Sequence, residues 1–247
     1  MTGVLLNDKD KDNNNDNDND NDNEQVRLLR ERIGLIRGEI ARLAPDREVI
    51  LVGATKTVPP GIINLACREC GLRDIGENRV QELLDKYPLL DRERINIHFI
   101  GQLQTNKVKY LIGKVCLIHS VDSIALAREI EKRSGAAGVC TRILVELNSG
   151  GEAGKGGIEP SRTEEFLAEL AEFRHIKVRG LMTIGPHCDD PGDYAGYFSQ
   201  TKSIFDKTFD SGGILSMGMS DSYRQALQNG SNMVRIGSGI FGRRSAN

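Results

Sequence analysis

The chain has 247 residues, 38% of them hydrophobic and 28% charged, with a formal net charge of −2, the composition of a soluble globular protein of one or two domains. No run approaches the roughly 20 apolar residues of a membrane span, and the acidic start has neither the basic nor the apolar region of a secretory leader. Five scattered cysteines do not make a disulfide scaffold, so the expected location is the reducing cytoplasm.

Residues 7–24 hold eight Asn, seven Asp, two Lys and one Glu, so this tract carries −6 and leaves +4 on the rest. With no apolar side chain it cannot offset the conformational entropy of folding, and residues 1–24 are read as a disordered tail ahead of one folded domain, 25–247. Asp16, Asp18 and Asp20 alternate as in a calcium loop, but Asn21 stands where that loop needs glycine and Arg27 where it needs glutamate.

An amphipathic helix is expected over 26–42, followed by a short apolar strand over 49–54. Further strands are expected over 73–76, 96–100, 115–118, 142–147, 178–182, 214–217 and 233–236, with helical stretches over 60–70, 123–133, 160–173 and 194–209. Eight strands alternating with helices fit an α/β single-domain (β/α)8 barrel, whose usual size is roughly 250 residues, here preceded by the N-terminal helix. A doubly wound sheet would want a glycine-rich turn after its first strand, where this chain has Thr55-Lys56-Thr57.

Several motifs do not survive their context. Cys67 and Cys70 form a C-x-x-C inside an apolar helical run rather than at a strand-to-helix turn. Gly237 to Gly242 matches G-x-G-x-x-G with only five residues after it, and the segment from Gly150 to Lys155 lacks the spacing and the hydroxyl of a P-loop. His98, His119, His175 and His187 show no metal spacing, and no metal is expected. The modest +4 and 5% aromatic content make nucleic acid a poor partner.

In such a barrel the chemistry sits at the C-terminal strand ends. Lys56 follows the first strand, where its amine would be partly desolvated and able to condense with a carbonyl. Ser216 ends the seventh strand, and Gly237 and Ser238 follow the eighth, positions at which many barrels bind phosphate. An amine and a phosphate cradle are the two anchors that pyridoxal phosphate requires, and Arg235, on the same side of its strand as Gly237, could reach the ring nitrogen.

The segments Thr55-Lys56-Thr57, Gly76-Glu77-Asn78-Arg79-Val80-Gln81-Glu82, His98-Phe99-Ile100-Gly101-Gln102-Leu103-Gln104-Thr105-Asn106-Lys107, Gly180-Leu181-Met182, Ser216-Met217-Gly218-Met219-Ser220-Asp221 and Val234-Arg235-Ile236-Gly237-Ser238-Gly239-Ile240-Phe241-Gly242 resemble those of the pyridoxal phosphate homeostasis proteins, in the same order. That resemblance implies a barrel of the fold-type III class, related to the N-terminal domain of alanine racemase. It implies Lys56 as the Schiff-base lysine, Arg235 facing the pyridine nitrogen, Asn78 near the ring, and Ser216, Gly237 and Ser238 around the phosphate. Ile97 and Lys155-Gly156-Gly157 depart from the family's usual residues, and Ser238 stands where Thr is frequent; none is a proposed anchor of the ring or amine.

An arginine at the ring nitrogen disfavours its protonation and weakens the electron sink that catalysis needs. Alanine racemase takes its second base from a C-terminal β-domain, and here five residues follow Gly242. The leading expectation is a carrier that holds pyridoxal phosphate with little or no turnover and passes it by transient contact to apoenzymes. An amino-acid racemase is the alternative, and a cofactor-free Schiff-base aldolase on a phosphorylated sugar a third.

Overall fold

The computed structural model describes residues 12–152, 154–186, 188–209 and 212–242. Strands β1 (Ile50–Ala54), β2 (Asp74–Glu77), β3 (Asn96–Phe99), β4 (Leu117–Val121), β5 (Thr141–Leu147), β6 (Ile176–Thr183), β7 (Ile214–Ser216) and β8 (Met233–Ile236) run parallel in sequence order. β8 pairs with β1, which closes the barrel and leaves no sheet edge.

Helices α1 (Asp12–Leu43), α2 (Pro60–Cys70), α3 (Val80–Lys86), α4 (Ile124–Ala136), α5 (Thr163–Leu170), α6 (Tyr194–Thr208), α7 (Tyr223–Gln228) and α8 (Ser238–Phe241) cover the outside. Between β3 and β4 the crossover is a 3-10 turn, Thr105–Tyr110. Pro60 opens α2, where a missing N–H costs nothing, and the Ser123 hydroxyl accepts from the Leu126 amide to cap α4. Cys67 and Cys70 are buried free thiols of α2, as their apolar context required.

The barrel differs from expectation in two places. β4 begins at Leu117 and continues through His119 and Ser120, beyond the apolar run that ended at Ile118. Polar residues can extend a barrel strand because the enclosed interior supplies hydrogen-bond partners. Helix α1 starts at Asp12 rather than near residue 26, so most of the Asn/Asp tract continues it, while residues 7–11 lie outside the described residues. Once a helix is nucleated, each added residue costs little, so a tract with no apolar face can be carried as an extension.

Two shells of apolar packing result. Val52, Leu117, Leu144, Met182 and Met233 fill the barrel's lower interior, each from a different strand. Outside, Leu29, Ile33 and Ile36 of α1 share a buried cluster with Val234, Ile236, Leu227 and Ile240, which seats the long helix across β8, α7 and α8.

Candidate functional site

Side chains of a strand alternate in direction, so Val52 and Met233 in the interior core place Ala54 and Arg235 on the inward side as well. In the pairing of β1 with β8, Val52 stands opposite Arg235 and Gly53 opposite Ile236. Lys56 and Gly237 therefore emerge side by side at the C-terminal mouth. They meet in a cavity of about 750 Å³, bounded by Ala54, Lys56, Thr57, Gly237 and Ser238 and roofed by Leu29 and Arg32 of α1. A side chain at Gly237 would put its Cβ 3.3 Å from the Ala54 carbonyl oxygen, so glycine keeps the backbone beside the cavity bare.

The turn that carries Lys56 is held from beneath by a buried charge cluster. Lys86 Nζ, on a residue 7% exposed, donates to the Thr55 carbonyl at 2.7 Å, to Glu77 Oε1 at 2.9 Å and to Glu82 Oε1 at 2.7 Å. The Thr55 hydroxyl donates to the same Glu77 oxygen at 2.6 Å, and the Thr57 amide donates to Glu82. Thr57 has φ of +66°, a left-handed conformation uncommon for a β-branched residue. The Glu82 carboxylate accepts the amide of this strained residue, so both backbone neighbours of Lys56 are tied to one ion-pair network. Burial raises the Glu77 carboxyl above its ordinary value, opposed by the hydrogen bonds from Thr55 and Lys86. Burial acts the same way on Glu82, but Lys86 and the Thr57 amide outweigh it and bring that carboxyl below the usual range.

Arg235 lies deeper, at 3% exposure. Its Nη1 donates to Ser216 O at 2.9 Å and Ser216 Oγ at 2.6 Å, and its Nη2 donates to Thr183 O at 3.0 Å. No carboxylate pairs with it among the described residues, and burial lowers its pKa to about 10, which leaves it a cation at neutral pH. Three of its five N–H groups are engaged, so two remain for a ligand acceptor.

The Ser216 hydroxyl also meets His119 Nδ1 at 3.3 Å, His119 Nε2 meets His98 Nδ1 at 3.0 Å, and His98 Nε2 meets Asp74 Oδ1 at 3.0 Å. Burial keeps His119 well below the ordinary histidine value, and His98 and Arg235 push it the same way. Glu146 of β5 is 8% exposed and has no side-chain hydrogen bond among the described residues. Burial pushes its pKa up to about 7; Asp122 adds to the rise and Arg235 opposes it.

The residues expected to form a site thus occupy two levels. Lys56, Gly237 and Ser238 share the cavity. Arg235 and Ser216 are bonded to each other below it, and the Ser216 hydroxyl, expected at a phosphate, lies between Arg235 and His119. Asn78 follows β2 half-buried at the same end of the barrel, backed by Gly101, where an added Cβ would fall 2.0 Å from the Asn78 carbonyl oxygen. Sequence reasoning passed over Lys86, Glu146 and Asp74. Glu146 had a usable signal, since a charged residue near the end of an apolar strand two residues after inward-facing Leu144 must also face inward. Lys86 had none, because a helical lysine ordinarily points to water. Among the described residues no cluster of His, Cys, Asp and Glu could hold a metal ion, and no helix is long and apolar enough to cross a membrane.

The model of the alanine racemase N-terminal domain family matches residues 37–245. A pyridoxal phosphate homeostasis protein of Aquifex aeolicus is 46% identical over 198 residues, covering 78% of this chain and 86% of that protein. The solved structure of PipY from Synechococcus elongatus with PLP bound superposes with a TM-score of 0.77 at 28% identity, covering 87% of this chain and 100% of that one. An alanine racemase of Clostridium difficile in complex with cycloserine shares the fold, with a TM-score of 0.70 at 17% identity over 91% of this chain and 61% of the racemase.

Proposed function

The chain belongs to the alanine racemase N-terminal domain family and, within it, to the pyridoxal phosphate homeostasis proteins, and from that premise we propose that it holds pyridoxal 5'-phosphate covalently through Lys56 and keeps it available rather than turning substrates over. When bound, that cofactor supplies an aldehyde that condenses with an amine and a pyridine ring that withdraws electrons once its nitrogen is protonated.

The observation that carries this reading is the coincidence of a strand-end lysine and a bare glycine backbone with an adjacent serine at one barrel mouth, above a buried guanidinium that no carboxylate pairs directly among the described residues. Each fits a different part of the cofactor. Gly237 and Ser238 offer a backbone amide and a hydroxyl to its phosphate, and Asn78 borders the ring. Arg235 turns its unengaged N–H groups to the pyridine nitrogen and donates there. Ser216 acts first on Arg235, whose direction its carbonyl and hydroxyl set, and only through it on the ligand. Relatives named for pyridoxal phosphate homeostasis, and a neighbour solved with PLP bound, support the same assignment.

Arg235 limits the chemistry of the ring, a limit that racemisation tolerates best. A permanent cation at the ring nitrogen opposes its protonation, so the ring withdraws electrons poorly. A racemase shares the fold, and its chemistry would require exchange of the α-proton of an amino acid. Incubating the loaded protein with L-alanine in deuterated water separates the two, since Lys56-dependent exchange at an enzymatic rate would overturn the carrier reading. The cofactor-binding barrel in this reading is 25–247, acting in the cytoplasm and meeting recipient apoenzymes transiently, with 1–24 outside the site.

The direct test is the visible spectrum. Wild type incubated with pyridoxal phosphate should turn yellow and bleach irreversibly with borohydride, and Lys56→Ala should lose both properties. A wild type that stays colourless removes the cofactor from this protein.

A further inference from the structure

The hydrogen bonds beneath Arg235 form one continuous chain across the barrel, and for neutral imidazoles its carboxylate end fixes its direction. A guanidinium only donates and a carboxylate only accepts. Arg235 Nη1 donates to Ser216 Oγ, and with both imidazoles neutral the Ser216 hydroxyl donates to His119 Nδ1. His119 must then carry its proton on Nε2, which donates to His98 Nδ1, and His98 in turn donates from Nε2 to Asp74 Oδ1. Every member except Asp74 is buried: Ser216 and His119 at 0%, His98 and Arg235 at 3%. With both imidazoles neutral, each link holds one proton and a single pair of tautomers completes the chain.

Asp74 opens β2 and so lies at the end of the barrel opposite Lys56. Its Oδ1 also accepts from Asn96 Nδ2 at 3.1 Å, and its side chain is 24% exposed. Cys116 stands near both Asp74 and Arg142, and Arg142 shows no ion pair among the described residues. At the other end, the carboxyls facing Arg235 are Glu146 and, beyond it, Asp122. Glu146 makes no hydrogen bond to the guanidinium, so the carboxylate joined to Arg235 by bonds is the distant one.

We propose that Asp74 is a positioning residue for the cofactor site: it supplies the counter-charge of Arg235 through the Ser216, His119 and His98 chain, which fixes the guanidinium while leaving its remaining donors free of any carboxylate at the mouth. The arrangement separates two needs that usually conflict. A buried cation requires compensation, yet a carboxylate placed beside it would occupy the donors that the ring nitrogen needs. Three neutral groups in series meet both, because polarised hydrogen bonds in a low-dielectric interior transmit charge while keeping the partners apart. The inference rests on the reading of Arg235 as the residue at the pyridine nitrogen.

Two measurements test it separately. The first needs no cofactor: ring nitrogen NMR of the histidine-labelled full chain should show His119 and His98 as neutral rings protonated on Nε2. Protonation of either ring on Nδ1 would overturn the chain. The second uses Asp74→Asn, which keeps an acceptor for His98 but removes the charge. Its affinity for pyridoxal phosphate should fall by about fivefold, the scale expected of a unit charge acting at a distance through protein, and its visible absorption maximum should move. Asp74→Glu should restore both. A change confined to the melting temperature of Asp74→Asn, with affinity and spectrum unaltered, would overturn the positioning role. If wild type takes up no cofactor, the functional reading fails, and the NMR result still decides the chain by itself.

Discussion

Lys86 and Glu77 form the buried ion pair on which the turn carrying Lys56 rests. Replacing the amine, as in Lys86→Met, leaves the fully buried Glu77 carboxylate without a cation, and losing one partner of such a pair costs about 3 to 5 kcal/mol. The carboxyl is already raised by burial, and without Lys86 the opposing interaction is gone. Its protonation then relieves the buried charge, so Lys86→Met should lose less stability at pH 5 than at pH 8. Urea melts at the two pH values check this, and equal losses at both would dismiss the buried charge as the cause. Thr57 should relax from its left-handed conformation in the same variant, weakening the hold on the cofactor along with the fold.

Between elements, the close contact that sets the mouth is Gly101 after β3 against Asn78 after β2. A Cβ at Gly101 would lie 2.0 Å from the Asn78 carbonyl oxygen and 2.8 Å from its Cα, and backbone atoms cannot swing aside as a flexible side chain can. Gly101→Ala is expected to part the two loops and cost about 1 to 3 kcal/mol, the range for overpacking a filled site. A control comes from Gly34, an exposed position of α1 where an added Cβ meets nothing within 4 Å. Gly34→Ala should instead stabilise by about 0.5 to 1 kcal/mol through helix propensity. Paired thermal melts distinguish the cases. If both substitutions are stabilising, the Gly101 contact is not a constraint on the mouth.

For the molecule as a whole, Glu146 gives stability a pH dependence of definite sign. Its pKa is raised from 4.5 to about 7 in the folded protein, so between those values the native state holds a proton that the unfolded state has lost. Stability due to this group is therefore largest below pH 4.5 and falls as pH rises to 7, above which the cost of the buried charge is fully present. Glu146→Gln should flatten that slope and leave the protein about 2 to 3 kcal/mol more stable than wild type at pH 8. Denaturant midpoints at pH 5 and pH 8 measure the effect. An unchanged slope would mean that water or a counter-ion reaches the carboxylate. Net charge has little part in this, since the −2 of the chain combines a −6 tract with a +4 remainder that only modestly favours an anionic ligand.

The pattern of short apolar runs and longer helical stretches determined, by itself, the eight strands and four of the helices between them, while the short helices α3, α7 and α8 are too brief to show a period. The same pattern marked Lys56, Gly237 and Ser238, since a residue just past a barrel strand must lie at its mouth. Tertiary structure decided what surrounds them. Lys86 is spaced like a surface helix residue, and only the approach of α3 to the end of β1 buries its amine among Glu77, Glu82 and the Thr55 carbonyl. His98 and His119 were readable as interior residues, but their bond to each other and their link from Asp74 to Arg235 depend on barrel closure. Strands two, three, four, seven and eight contribute one residue each to that chain, and side chains so far apart in sequence acquire a common hydrogen-bond direction only when the closed barrel brings them within 3.3 Å of one another.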